Sequence, residues 1–171
     1  IVRMTSTGGT TFFPIPTANS LPTFIIPGPD GAMWFTEVGA NKIGRITTAG
    51  VVSEFALPTS LGAPDQITNG PDGALWFTAP AANKVGRITT TGAVTEFALP
   101  RPNSRPSGIA TGSDGSLWIT EVDGNKIAQM TTTGIFTEYV VPSQNNGSSM
   151  PTAIVAGPDG ALWFTEYNTS K

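Results

Sequence analysis

Carboxylates at recurring positions are the residues of this sequence best suited to chemistry. Glu37, Glu121 and Glu166 each follow the same tryptophan-containing motif, and Asp65 occupies a second recurring position. Mg²⁺ and Ca²⁺ prefer oxygen ligands of this kind. We therefore predict a cation site for Mg²⁺ or Ca²⁺ formed by Glu37, Glu121, Glu166 and Asp65. The alternative is that each glutamate ends a strand in solvent or pairs with a nearby lysine.

Variable loops supply a second set of candidates, because binding residues concentrate in loops. The basic, proline-containing segment 101–106 and the polar segment 143–149 differ most between otherwise similar stretches. We predict that a small molecule or peptide contacts Arg101, Arg105, Asp123 and Tyr167.

Composition excludes several classes of protein. The 171 residues include no cysteine and no histidine, which excludes disulfides, cysteine zinc sites, thiol nucleophiles and a histidine base. A net charge of −3 without a basic run predicts no nucleic-acid partner, and the short apolar runs predict no membrane span. The first residue is Ile1, without a signal-like stretch, which indicates a processed or trimmed product. Low charge and threonine-rich strands favour a secreted or cell-surface protein, with a cytoplasmic one left open.

The elements that position these residues belong to one sequence unit that is repeated four times. Gly-x-Asp-Gly begins at Gly28, Gly70, Gly112 and Gly157, in steps of 42, 42 and 45 residues. Within a unit, strand patterns occupy residues 23–26, 32–37, 42–47 and 51–57, with turn residues between them. In the first turn, aspartate can bond its own backbone and glycine can take a positive φ.

Four antiparallel strands in about 42 residues correspond to one blade of a β-propeller. The sequence therefore predicts an all-β propeller of four repeats, each a four-stranded antiparallel blade with a tryptophan in its core. In a propeller, the start of the first strand lies on the same face as the turn after the second. This arrangement would bring the four predicted cation ligands to one mouth of the channel.

The predicted repeats place the two ends of the chain in a shared blade. They span residues 18–59, 60–101 and 102–149, with a split blade from residues 1–17 plus 150–171. We expect the N- and C-terminal strands to combine in that blade, closing an open sheet edge. Three assemblies remain open: a four-bladed ring, a dimer of eight blades, or part of a longer protein.

The repeated motifs resemble those of the virginiamycin B lyase family, also called streptogramin lyase-like proteins. Gly-Pro-Asp-Gly-Ala-Leu-Trp-Phe-Thr-Glu, Asn-Lys-Ile-Gly-Arg-Ile-Thr-Thr and Thr-Glu-Phe-x-Leu-Pro carry the resemblance across the whole chain. It implies a seven-bladed propeller that opens the ester of a cyclic depsipeptide antibiotic by elimination. It also implies Mg²⁺, a histidine base and acidic residues near the channel.

The missing histidine and the uniform repeats lead to the functional prediction. Residues 28–59 and 70–101 agree at 23 of 32 positions, whereas a catalytic site requires blades that differ. We predict a non-catalytic propeller scaffold or binding module. The alternative is a Mg²⁺-dependent C–O lyase acting on a cyclic depsipeptide ester, in which Glu37, Glu121 or Glu166 replaces the histidine base.

Overall fold

The chain is built almost entirely of short β-strands. The computed structural model describes residues 1–58, 60, 62–142 and 149–167. Its only described helical segment is the 3₁₀ turn Pro80–Ala82, and no described helix could cross a membrane. The strands are β1 (Val2–Met4), β2 (Thr10–Phe12), β3 (Pro22–Pro27), β4 (Met33–Glu37), β5 (Lys42–Ile46), β6 (Val52–Ala56), β7 (Ile67–Asn69), β8 (Leu75–Ala79), β9 (Lys84–Ile88), β10 (Val94–Ala98), β11 (Pro106–Thr111), β12 (Leu117–Glu121), β13 (Lys126–Met130), β14 (Phe136–Val140), β15 (Pro151–Ala156) and β16 (Leu162–Glu166).

Three complete blades form the centre of the structure. Strands β3–β6, β7–β10 and β11–β14 make four-stranded sheets in which each strand pairs with its neighbours in the chain. All pairings in these sheets are antiparallel. The predicted turn also forms, because Gly31 has a φ of 75° and the Asp30 side chain accepts a hydrogen bond from the Ala32 N–H. The all-β propeller prediction is confirmed.

Strand register gives each blade two different faces. In the first blade, Trp34 lies opposite Arg45, and Phe35 lies opposite Gly44. Because side chains alternate along a strand, Trp34 points to the following blade, whereas Phe35 and Glu37 point to the preceding one. We call these the forward face and the backward face.

The hydrophobic core lies between blades. Trp34 and Ile43 on the forward face of the first blade pack with Leu75 and Phe77 of the second. Trp76 packs in the same way with residues of the third blade. Trp34 and Trp76 are fully buried, so the prediction that these tryptophans are core residues is confirmed for both.

At three junctions, an aromatic ring in or directly after an outer strand also contacts a turn glycine of the next blade. The Phe55 ring covers Gly92 so closely that a Cβ atom on Gly92 would lie 2.5 Å from it. Phe97 covers Gly134, and Phe13 covers Gly50, at similar distances of 2.6 and 2.3 Å. Neighbouring blades are therefore held together by a repeated aromatic–glycine contact.

The terminal strands form two separate half-blades. Strands β1 and β2 make one two-stranded sheet beside the first blade, and β15 and β16 make another beside the third blade. The described residues therefore show no blade closed by the N- and C-terminal strands. Trp163, expected in a core, is 61% exposed, because no outer strand covers it in the described part of the chain.

The N-terminal half-blade differs from the complete blades at one close contact. The repeat places Val2 where the first two complete blades have Gly44 and Gly86. A Cβ atom on either glycine would lie 2.1 Å from the ring of Phe35 or Phe77. The corresponding phenylalanine in the C-terminal half-blade is Phe164.

Candidate functional site

The recurring aspartates organise the turn between the first and second strands. In the first blade, Asp30 accepts hydrogen bonds from the Trp34 indole at 2.9 Å and from Arg45 at 2.6 Å. The second blade repeats this arrangement around Asp72. Burial raises the pKa of Asp30, but the bonds from Trp34 and Arg45 outweigh it and hold the pKa below its usual value. The predicted turn role of these aspartates is confirmed.

Arg45 and Arg87 bond within their own blades, whereas Arg3, at the same position of the N-terminal half-blade, donates to the Thr48 carbonyl of the first blade. In the third blade, Gln129 replaces the arginine and donates to Asp114 at 2.8 Å. In the C-terminal half-blade, Asp159 accepts from Trp163 at 3.2 Å and from its own turn. The described residues provide no third-strand donor to Asp159.

The first predicted cation ligand, Glu37, is buried on the backward face of the first blade. Its exposed fraction is zero, and neither carboxyl oxygen accepts a hydrogen bond from an N–H or O–H group. Glu54 of β6 faces it from the same backward face, and one Glu54 oxygen is likewise buried without such a donor. Lys42 lies 3.6 Å from Glu54 and donates to Thr17.

This environment favours one proton shared between the two carboxyls. Burial, followed by the bond to Glu54 and its charge, raises the pKa of Glu37 to about 7, and nearby Ser20 offsets only part of that rise. Burial also raises the pKa of Glu54, but bonds from Thr17 and Glu37 and the charge of Lys42 bring it below its usual value. Glu37 is therefore the protonated partner and Glu54 the ionised one.

The third blade contains a second buried pair. Glu121 is fully buried, and both of its carboxyl oxygens and one oxygen of Glu138 lack a donor. Burial is the main cause of the raised pKa of Glu121. Glu138 is bonded to Lys126 and lies 3.3 Å from Arg101. The predicted ligand-loop residue Arg101 thus contacts a blade carboxylate.

The second blade lacks this arrangement. Ala79 replaces the inner glutamate, and Gly62 replaces the buried serine found beside it as Ser20 or Ser104. The remaining carboxylate, Glu96, accepts hydrogen bonds from Lys84 at 2.6 Å and from Ser60 at 2.7 Å. The second repeat lacks both the serine and the glutamate. This joint change was a signal in the sequence that the two side chains belong to one cluster in the other blades.

The four predicted cation ligands do not form one cluster. Asp65 precedes β7, where its N–H donates to the Thr78 carbonyl; the Ser107 hydroxyl is 3.5 Å from its carboxylate, and burial raises its pKa. Glu166 is partly exposed at the end of β16. Within the described ranges, no group of three or more Asp or Glu residues could hold a metal ion. Glu37 and Glu121 instead face glutamates of their own blades.

The other predicted ligand residues lie at the blade end that carries the turn after the second strand. Arg105 lies 3.1 Å from Asp123, and both side chains are about half exposed. Tyr167 is 81% exposed, and its N–H donates to the Met150 carbonyl. Residues 143–148 of the second predicted loop lie outside the described residues.

Sequence reasoning missed a strained position at this same end. Leu21, Arg105 and Met150 have φ values of 48°, 52° and 48°, which few non-glycine residues adopt. Each precedes a proline, and its carbonyl accepts the N–H of the residue after the second strand. The signal in the sequence was the proline that follows this position in three of the repeats. Strain of this kind often accompanies binding sites.

Comparison with known proteins identifies the family of this fold. The model of the virginiamycin B lyase family matches residues 1–171. The chain belongs to this family. Among curated protein sequences, none matches the chain.

Solved virginiamycin B lyases have the same backbone arrangement over part of their length. The selenomethionine-substituted enzyme from Staphylococcus aureus is 42% identical with a TM-score of 0.91, and the match covers 96% of this chain and 55% of that one. A catalytically inactive histidine-to-alanine variant from S. aureus, with quinupristin, is 45% identical with the same TM-score and coverage. The chain thus spans about half the length of these relatives.

A more distant structure shares the fold alone. Hydrazine synthase from Kuenenia stuttgartiensis is 18% identical with a TM-score of 0.74, and the match covers 91% of this chain and 45% of that chain.

Proposed function

We propose that this chain is a non-catalytic binding module of the virginiamycin B lyase type. The observation that carries the proposal is the absence of histidine from all 171 residues. In the S. aureus relative, replacing one histidine by alanine gives a catalytically inactive enzyme. A chain without histidine has no side chain of that type with which to remove a proton.

The buried carboxylates do not compensate for that absence. A general base must come within hydrogen-bonding reach of the proton that it removes. Glu37 and Glu121 are fully buried, so a bound ester cannot reach either carboxyl. Of the three glutamates considered for the alternative lyase function, Glu166 retains some solvent access, and so does the predicted cation ligand Asp65.

The exposed blade end supports binding. Arg105 and Asp123 present both charges there, and Tyr167 presents an aromatic ring. A cyclic depsipeptide offers amide groups for the charged side chains and apolar side chains for the ring. We propose this class of ligand because a virginiamycin B lyase has been solved with quinupristin.

The test measures binding and ring opening separately. Calorimetry of the chain with quinupristin should detect binding that weakens in Arg105→Ala. Liquid chromatography with added Mg²⁺ should show only intact antibiotic, because elimination would give a linear product with a different retention time. Ring opening that Glu166→Gln or Asp65→Asn abolishes would support the lyase alternative. Absence of binding would refute the module proposal.

A further inference from the structure

The charged pair at the exposed blade end belongs to one of the three complete blades. In the third blade, Arg105 lies 3.1 Å from Asp123. The first blade has Leu21 and Gly39 at the equivalent positions, and the second blade has alanine at both. The contacts that hold this pair in place therefore determine a feature that the other two complete blades lack.

The backbone of Arg105 needs support from outside its own segment. Its φ is 52°, which few non-glycine residues adopt, and the residue before a proline prefers an extended conformation. On one side, the Arg105 carbonyl accepts the Val122 N–H at 3.2 Å. That bond leaves the N–H side of Arg105 to be held by another group.

The second blade supplies that group from the turn between β8 and β9. The carboxamide oxygen of Asn83 accepts the N–H of Ser104 at 2.8 Å and that of Arg105 at 3.3 Å. Its carboxamide nitrogen donates to the Arg101 carbonyl at 2.6 Å. One side chain thus makes three hydrogen bonds to the backbone of the segment that leads into the third blade.

Asn83 also acts on the acidic member of the pair. Ser104, whose N–H it accepts, is buried, and the Ser104 carbonyl accepts the N–H groups of Asp123 at 3.1 Å and Gly124 at 3.3 Å. The two residues that donate to Asn83 therefore carry the arginine and hold the turn that carries the aspartate.

The equivalent asparagine of the first blade has different partners. Asn83 itself has φ and ψ of 56° and 43°, a conformation in which asparagine is enriched. Asn41 donates to the carbonyls of Leu57 and Pro58, but its carboxamide oxygen accepts no hydrogen bond from the described residues. The turn thus forms in the first blade without such an acceptance, whereas in the second blade the same oxygen holds the Arg105 backbone.

We propose that Asn83 is a positioning residue for ligand binding at the end of the third blade. It holds the Arg105 guanidinium and the Asp123 carboxylate where they meet the amide groups of a cyclic depsipeptide, and it acts through these two residues. The inference rests on the proposed binding function of this blade end. A loop that is already ordered loses less conformational freedom when a ligand binds, so removal of the Asn83 side chain should lower the affinity.

Two substitutions at Asn83 separate its oxygen from the conformation of its turn. Asn83→Gly accepts a positive φ but removes all three side-chain bonds. It should weaken quinupristin binding about tenfold in calorimetry, which corresponds to about 1.4 kcal/mol. Asn83→Asp keeps an oxygen acceptor and should restore the affinity to within about threefold of the native value. Asn41→Gly is the matched control, which makes the same change one blade earlier and should leave the affinity unchanged.

A double-mutant cycle distinguishes positioning from a general loss of structure. In an Arg105→Ala background, Asn83→Gly should lose most of its effect on affinity, because no guanidinium remains to be positioned. An equal factor in both backgrounds would overturn the inference, as would native affinity in Asn83→Gly.

Hydrogen exchange without ligand tests the positioning independently of the proposed function. The amides of Ser104 and Arg105 should be protected in the native chain and should exchange at least about tenfold faster in Asn83→Gly, while the amides of β8 stay protected in both. Equal exchange of Ser104 and Arg105 in the two proteins would overturn the inference. If the native chain shows the expected exchange pattern but does not bind quinupristin, the proposed function is refuted and the positioning of Arg105 by Asn83 is supported.

Discussion

Replacing Glu37 by glutamine should remove a large part of the pH dependence of unfolding. Glutamine has the size of a protonated glutamate and can donate to Glu54 as the shared proton does. In the native chain, the carboxyl is fully buried and its oxygens lack N–H or O–H donors. The variant keeps the hydrogen bond but has no proton to lose.

The sign and size of the effect follow from the raised pKa. Below the usual value of 4.5, Glu37 is protonated in both the folded and the unfolded chain, so its stabilising contribution is fully present. Between pH 4.5 and the folded pKa of about 7, only the unfolded chain releases the proton, so stability falls as pH rises. The loss is about 3 kcal/mol, since a tenfold change in proton affinity is worth about 1.4 kcal/mol.

Urea unfolding at several values between pH 4.5 and pH 8 would measure this loss. The native chain should lose stability across the interval, and Glu37→Gln should lose about 3 kcal/mol less. Glu96→Gln is the matched control, because bonds from Lys84 and Ser60 lower the pKa of Glu96. Ionised Glu96 stabilises the folded chain at pH values above the usual carboxyl pKa, and this contribution is lost only as pH falls through the lowered pKa. The unfolding free energy of Glu96→Gln should therefore change with pH in parallel with that of the native chain above pH 5.

The refuting result is a parallel pH profile for the native chain and Glu37→Gln. It would mean that Glu37 is ionised when folded, stabilised by the Ser20 hydroxyl and the Lys42 charge that oppose the rise of its pKa. Glu37→Ala provides a second comparison, because Ala79 is the natural residue at this position in the second blade. It should also lose the pH dependence, but with a lower stability from the cavity that it leaves.

The remaining predictions concern backbone strain, close packing and the turn. Leu21→Gly should raise the unfolding free energy by up to about 1 kcal/mol by removing the strained φ, and an unchanged urea midpoint would contradict this. Gly44→Ala should lower the unfolding free energy by about 1–3 kcal/mol. Adding Phe35→Ile should restore most of that loss, because the third blade pairs an isoleucine with an alanine at these positions. Thermal melts would measure both changes. Arg45→Gln should change stability by no more than about 0.5 kcal/mol because Gln129 makes the equivalent bond. A larger loss in calorimetry would show that the charge itself is required.

The strands and turns of the complete blades could be predicted from the sequence because their determinants are local. Residues 42–47 and 51–57 were predicted as strands, and β5 and β6 lie within those ranges. Asp30 and Gly31 likewise act on neighbouring backbone. Each of these features depends on hydrogen bonds and φ angles within a few residues.

The candidate site could be predicted only in part because it depends on the direction of side chains. Glu37 was expected at a channel mouth from its place at the end of a strand. The register places it on the same face as Glu54, the backward face of the first blade. Trp163 shows a second limit: its motif matches that of Trp34, but its burial depends on strands beyond its own pair.

The contact between Phe55 and Gly92 also has a consequence for how such a chain can grow. The first two complete repeats contain both parts of the contact, an outer ring for the next repeat and a turn glycine for the previous one. A duplicated gene segment inserted between two repeats would therefore encode both of its new interfaces at once. Descent by duplication of whole units requires no compensating substitution at the junction, whereas a change of length within a unit would separate the ring from its glycine.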